Sequence, residues 1–121
     1  MWKIRKNVLQ LIEESSKSSY PNEFGAFLRA KYGVIYEIVL LPGTLNGGSA
    51  VIYNLLMMPI DFSIVGTVHS HPSGYPIPSE EDLNMFSKTG DVHIITGYPF
   101  NGKNWKAYNR DGKEIKLKVL E

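Results

Sequence analysis

The sequence predicts an α+β fold, and three observations carry that reading: apolar residues at helical spacing near the N-terminus, several short β-branched runs bounded by glycine and asparagine turns, and a second helix signal after a proline-rich stretch. Ile4, Val8, Leu11, Ile12 and Ser15 recur on one helix face with polar residues opposite, and Pro21 follows, so the first element is an amphipathic helix. Glu23 to Ala30 and Val34 to Leu41 read as strands joined at Gly33, a hairpin rich in β-branched and aromatic residues. Pro42 to Ser49 is a Gly-rich loop without the Gly-Lys-Ser/Thr ending that cradles phosphate; Ala50 to Tyr53 is a short strand, and Asn54 to Asp61 is irregular or weakly helical. Phe62 to His69 is a β-branched run suited to a central strand. Pro72 to Pro78 holds three prolines and a glycine and must be a loop, from which a helix starts at Ser79 and runs to about Lys88. Val92 to Tyr98 is the next strand, and the turns Asn101-Gly102 and Asp111-Gly112 link it to Trp105–Asn109 and then to Glu114–Leu120.

At 121 residues, with no internal repeat, low-complexity tract or dividing linker, residues 1–121 are expected to fold as one domain. Hydrophobic residues at 43% and charged residues at 21% exclude a disordered tail. Thirteen Lys and Arg against twelve Asp and Glu leave a formal charge of +1, with no basic stripe to follow a phosphate backbone, so no nucleic-acid partner is expected. Cysteine is absent, which removes disulfides, thiolate metal sites and a thiol nucleophile; a transition metal would have to rely on imidazole and carboxylate. The chain has neither an apolar run of signal-peptide length at its start nor the roughly 18 apolar residues needed to span a bilayer. A cytoplasmic protein with no membrane partner is expected. Oligomeric state stays open, a homodimer included.

His69 and His71 close the long β-branched run, and a separation of two puts both imidazoles on one face if the strand continues that far. Such a pair can grip one metal, or can equally be surface or hydrogen-bonded histidines. Ser79-Glu80-Glu81-Asp82 places an acid three residues after a candidate N-cap serine, so by itself it reads as a capping box. The whole string is more specific: His69-Ser70-His71-Pro72, six residues, Ser79, two residues, Asp82. It resembles, at every defining position, the His-x-His-Pro-x6-Ser-x-x-Asp signature of the JAMM (MPN+) zinc metalloproteases, and in particular their small archaeal and bacterial, deubiquitinase-like members. The leading helix, Glu23 after it, the Gly66-Thr67-Val68 run and the closing hairpins extend the resemblance over nearly the whole chain.

That resemblance implies a cytidine-deaminase-like MPN domain, an α/β/α sandwich with a mixed central sheet flanked by helices. It implies one zinc ion per chain held by His69, His71 and Asp82, with a water in the fourth position. Three protein ligands leave the open position that a catalytic zinc requires. By the same resemblance Glu23 is general base and then general acid, and Ser79 donates a hydrogen bond to the oxyanion of the tetrahedral intermediate. Residue type and spacing alone do not separate Glu23 from Glu13, Glu14, Glu37, Glu80 or Glu81. The implied activity is a zinc isopeptidase that removes a ubiquitin-like modifier from a lysine side chain or trims the modifier's C-terminus, its partner being that modifier or its conjugate.

Similar enzymes act on sulfur-carrier proteins, and a non-catalytic MPN scaffold is a third reading, although such scaffolds typically lack a ligand that this chain retains. A zinc deaminase is set aside because its His-x-Glu and Pro-Cys-x-x-Cys elements are missing. His93, inside an alternating strand, is expected to be structural. Tyr75 and Ile77 are expected to pack inward rather than face substrate, and Leu55, Leu56, Met57 and Met58 to join the core rather than a partner surface.

Overall fold

Period-two alternation in the strands decides which helix covers which face. The computed structural model describes residues 1–40 and 62–121. Its elements run β1 (Lys3–Arg5), α1 (Lys6–Ser19), β2 (Gly25–Lys31), β3 (Val34–Leu40), β4 (Ile64–His71), α2 (Glu80–Thr89), β5 (Val92–Gly97), β6 (Trp105–Tyr108), β7 (Glu114–Ile115) and β8 (Lys118–Leu120). Among the described residues the strands form one mixed sheet in the order β7-β6-β5-β4-β2-β3-β1-β8. β1 is parallel to β3 and β8, and β4 is parallel to β5; the remaining neighbours are antiparallel.

Ala26, Leu28, Val68, Val92, Ile94 and Ala107 turn to one face and pack with Val8, Leu9 and Ile12 of α1. The intervening positions Phe27, Ile95 and Tyr108 turn to the other face and pack with Met85 and Phe86 of α2. Two helices on opposite faces of a mixed sheet make the expected three-layer α+β arrangement.

Several details depart from the sequence reading. Ile4 belongs to β1, a strand too short to show a period, and α1 buries Val8, Leu9, Ile12, Glu13 and Ser16 while Leu11 stays 51% exposed. The apolar stripe is therefore rotated from the one expected, which brings Glu13 inside. Its carboxyl group accepts from Thr96 Oγ1 (2.5 Å) and the Gly102 N–H (2.6 Å), so the buried polar group is hydrogen-bonded on both oxygens. β4 begins at Ile64 and reaches His71, two residues beyond the expected end, leaving Phe62 exposed. Gly66 lets β4 approach β5: a Cβ there would fall 1.5 Å from the Val92 carbonyl oxygen.

The expected strand from Glu114 to Leu120 is divided. β7 pairs with β6, whereas β8 pairs in parallel with β1 at the opposite edge of the sheet. Ile115 and Lys118 are three residues apart and so at most about 11 Å apart. The sheet must curl until its edges nearly meet, and Leu117, Ile115, Val119 and Trp105 pack inside that curl. The loop expected at 42–49, the strand Ala50–Tyr53, the stretch Asn54–Asp61 and the Leu55–Met58 cluster lie outside the described residues. Among the described residues no helix is long and apolar enough to cross a membrane.

Candidate metal centre

β4 carries His69 and His71 at its C-terminal end on the face covered by α2, flanked in register by Gly25 of β2 opposite His69 and Gly97 of β5 opposite His71. Asp82 comes from the first turn of α2. The Nε2 atoms of the two histidines are 3.0 Å apart; Asp82 Oδ1 is 3.1 Å from His69 Nε2 and Oδ2 is 3.3 Å from His71 Nε2. Nitrogen and oxygen ligands at about 2.0–2.1 Å from a tetrahedral zinc are about 3.3 Å from each other. The separations here are close to that, although the carboxylate faces the two histidines with a different oxygen each, and the nitrogen and oxygen donor set suits zinc.

His71 Nδ1 lies 2.9 Å from the Tyr75 carbonyl, which can only accept, so Nδ1 carries the proton and the neutral ring presents a lone pair at Nε2. Two imidazole nitrogens and a carboxylate aimed at one point attract a cation. Burial alone would pull the pKa of His71 down, but the hydrogen bonds to Asp82 and Tyr75 and the charges of Asp82 and Glu23 outweigh it and raise it, so with no metal the pocket favours a proton on Nε2, at the position a cation would take instead. Burial would likewise raise Asp82, and the hydrogen bonds from His69 and His71 overcome that and hold it well below the usual carboxylate range. His69 and Asp82 are buried; His71 and Glu23 are half-buried. His69 Nδ1 is buried with no hydrogen-bond partner among the described residues.

Glu23 sits two residues ahead of β2 rather than within it. A carboxylate oxygen of Glu23 and a ring nitrogen of each of His69 and His71 all lie within 4.8 Å of one another. Asp82 also lies within that limit of both histidines, so two carboxylates, Asp82 and Glu23, stand against the pair of imidazoles.

Ser79 is the N-cap of α2. Its Oγ accepts the Asp82 N–H (3.2 Å), and its own N–H donates to Asp82 Oδ2 (2.9 Å). The two explanations of Asp82 are thus simultaneous: Oδ2 both closes the capping box and faces His71. The exposed Ser79 hydroxyl, accepting through oxygen, keeps a proton to donate.

The loop joining His71 to Ser79 is pinned from the sheet. Asn104 Nδ2 donates to the carbonyls of Gly74 (2.8 Å) and Tyr98 (3.1 Å), and Tyr108 Oη donates to the Pro76 carbonyl (2.5 Å). Anchoring the buried Pro76 in an extended loop turns its neighbours outward: Tyr75 is 70% and Ile77 is 61% exposed, which corrects the expectation that they pack inward. Asn104 and Tyr108 were not singled out in the sequence, since nothing local in a polar residue and an aromatic of β6 reveals a partner some thirty positions upstream. His93 is fully buried in β5, with Nε2 3.0 Å from the Gly90 carbonyl, Nδ1 2.7 Å from Thr67 Oγ1, and its ring stacked on Phe86.

Fold and cluster define a class: an α/β/α domain with a candidate imidazole and carboxylate metal centre at the end of a central strand. Residues 5–111 match the family described as prokaryotic homologs of the JAB domain. A "probable metalloprotease" of Haloferax volcanii is 32% identical over 128 residues, covering 98% of this chain and 79% of that protein. The crystal structure of a JAB1/MPN domain protein from Archaeoglobus fulgidus is 41% identical with a TM-score of 0.80, over 98% of this chain and 99% of the other. A structure described as "JAMM: a metalloprotease-like zinc site in the proteasome and signalosome" is 40% identical with a TM-score of 0.80, over 100% and 99% of the two chains. A solution structure from Desulfitobacterium hafniense, at 20% identity and a TM-score of 0.70 over 100% and 94%, shares the fold. The chain belongs to the JAB/MPN family of JAMM-like metalloproteases.

Proposed function

We propose that the protein is a zinc-dependent isopeptidase that releases a ubiquitin-like modifier from a lysine side chain or trims the modifier's C-terminus, with His69, His71 and Asp82 as the metal ligands. The observation that carries this reading is the 3.0–3.3 Å triangle of Nε2, Nε2 and carboxylate with a further carboxylate, Glu23, beside it. The relatives named for a metalloprotease and for a metalloprotease-like zinc site support it. Zinc, when bound, supplies Lewis-acid polarisation of the scissile carbonyl and a water acidic enough to ionise near neutral pH.

The rest falls to the protein. Glu23 takes a proton from the attacking water and returns it to the leaving lysine amine, which is why a half-buried carboxylate beside the ligands is needed in addition to one among them. The Ser79 hydroxyl donates to the carbonyl oxygen as it gains charge. Tyr75 and Ile77, exposed on the loop whose carbonyl orients His71, offer apolar contacts to the modifier's tail.

Zinc-loaded protein incubated with lysine-linked conjugates of several ubiquitin-like proteins should release the free modifier. Cleavage should stop on adding a chelator and return with zinc. Absence of cleavage from every conjugate, or cleavage indifferent to the chelator, sinks the reading.

A further inference from the structure

Ser70 occupies the unspecified position between the two histidines, and alternation puts its side chain on the α1 side of β4, away from the imidazoles. It is fully buried. Its hydroxyl accepts the Phe24 N–H at 2.8 Å while its own N–H donates to the Phe24 carbonyl at 2.9 Å. Phe24 directly follows Glu23 and is itself buried. Pairing of β2 with β4 is regular from Leu28 opposite Gly66 to Gly25 opposite His69; at the next pair the serine hydroxyl, a side chain, receives the amide. The residue after Glu23 is therefore held by two hydrogen bonds to the residue between the two histidines.

On its other side Ser70 is in register with Thr96 of β5, whose hydroxyl is bonded to Glu13 of α1. Glu23 lies outside any helix or strand, yet its carboxylate stands within 4.8 Å of both imidazoles. We propose that Ser70 is a positioning residue: its hydroxyl, by clamping Phe24, sets the distance and orientation of the Glu23 carboxylate relative to the pair of histidines. This rests on the reading of Glu23 as the proton-transferring group. A serine that only continued the strand would need its backbone alone.

The test compares Ser70→Ala, which removes the acceptor, with Ser70→Thr, which restores it, and with Glu23→Gln. Ser70→Cys, close in volume but a weak acceptor, serves if alanine fails to fold. Four quantities are read: melting temperature, zinc affinity, the visible spectrum of the cobalt(II)-substituted protein, and kcat and KM on a conjugate. Ser70→Ala should bind zinc within about three-fold of the parent and lower kcat by about ten- to a hundred-fold at nearly constant KM, the cost of a misplaced group. Its cobalt spectrum should shift in the direction that Glu23→Gln shifts it, and Ser70→Thr should restore both spectrum and kcat.

A folded Ser70→Ala with the parent's spectrum and kcat overturns the proposal. So does loss of metal, which would make the hydroxyl a support of the ligand strand. If the parent cleaves no conjugate, the isopeptidase reading fails by itself, and the cobalt spectra still decide whether Ser70 positions Glu23.

Discussion

His93 and His69 stand on the same face of neighbouring strands, since His93 is in register with Thr67, two residues before His69. Both are buried, and there the likeness ends. Each His93 nitrogen has a matched partner, a carbonyl at one end and a hydroxyl at the other, and the ring is stacked on Phe86. Burial, only partly opposed by the Gly90 carbonyl, pushes its pKa down to about 4 from 6.5. His69 turns Nε2 towards another imidazole and a carboxylate instead. The difference teaches that burial does not distinguish a core histidine from one in a candidate metal centre; what does is whether its nitrogens are matched with single partners or converge with other donors on one point.

The strongest way to break the comparison is at Asp82. Asp82→Ala should abolish stoichiometric zinc binding and with it hydrolysis, read by metal analysis and conjugate cleavage, and should also cost about 1 kcal/mol as the capping box is lost. Stoichiometric zinc in that variant would reduce Asp82 to a cap. Next in size is Glu23→Gln, expected to keep zinc while turnover falls by about 10²–10⁴, the usual contribution of a general acid-base group. Unchanged turnover would remove Glu23 from the chemistry.

At His93 the expected effect is on stability and follows from the sign of the shift. The unfolded chain binds this proton more readily than the folded one, so the stabilisation is complete above about pH 6.5 and is lost as pH falls towards 4. The loss from this group reaches up to about 3 kcal/mol at the acid end. Urea unfolding at pH 7 and pH 4.5 should show a steeper loss in the parent than in His93→Gln, whose zinc content should be unchanged; equal losses would contradict the shift. Smallest is Tyr108→Phe, which leaves the Pro76 carbonyl without its hydroxyl donor. About 1 kcal/mol of thermal stability should go, together with a modest weakening of zinc binding as the loop after His71 loosens. An unchanged melting temperature would show that the loop does not depend on that anchor.

The parts of the centre that were legible in the sequence are local ones. His69 and His71 share a strand end, Ser79 and Asp82 share one helical turn, and fixed spacing on regular elements translates directly into shared faces. The structural character of His93 was legible too, from the alternation of its strand. Glu23 was named only through the family resemblance, because its approach to the histidines is produced by pairing across more than forty residues, in which Ser70 takes part. The same reason hid Asn104 and Tyr108, as well as the partners of Glu13. In the fold, hairpins announced by Gly33, Asn101-Gly102 and Asp111-Gly112 could be read, whereas β1 and the parallel β8 could not. Each is only three residues long, and their pairing has no turn between them to signal it.

That β1–β8 pairing sets an order of events in folding. Lys3 meets Lys118 across 115 positions, whereas the β2–β3 hairpin closes over two. Closing the longer span before other contacts form costs chain entropy that grows with the logarithm of its length, so the hairpins and the helices that pack on them have every reason to come first. Until the curl is sealed, β1 offers an open backbone edge to any neighbouring chain. Once β8 (Lys118–Leu120) pairs with it, the edge left open in that direction is that of a strand only three residues long, well removed in the sheet order from the central β4 that carries the candidate metal centre.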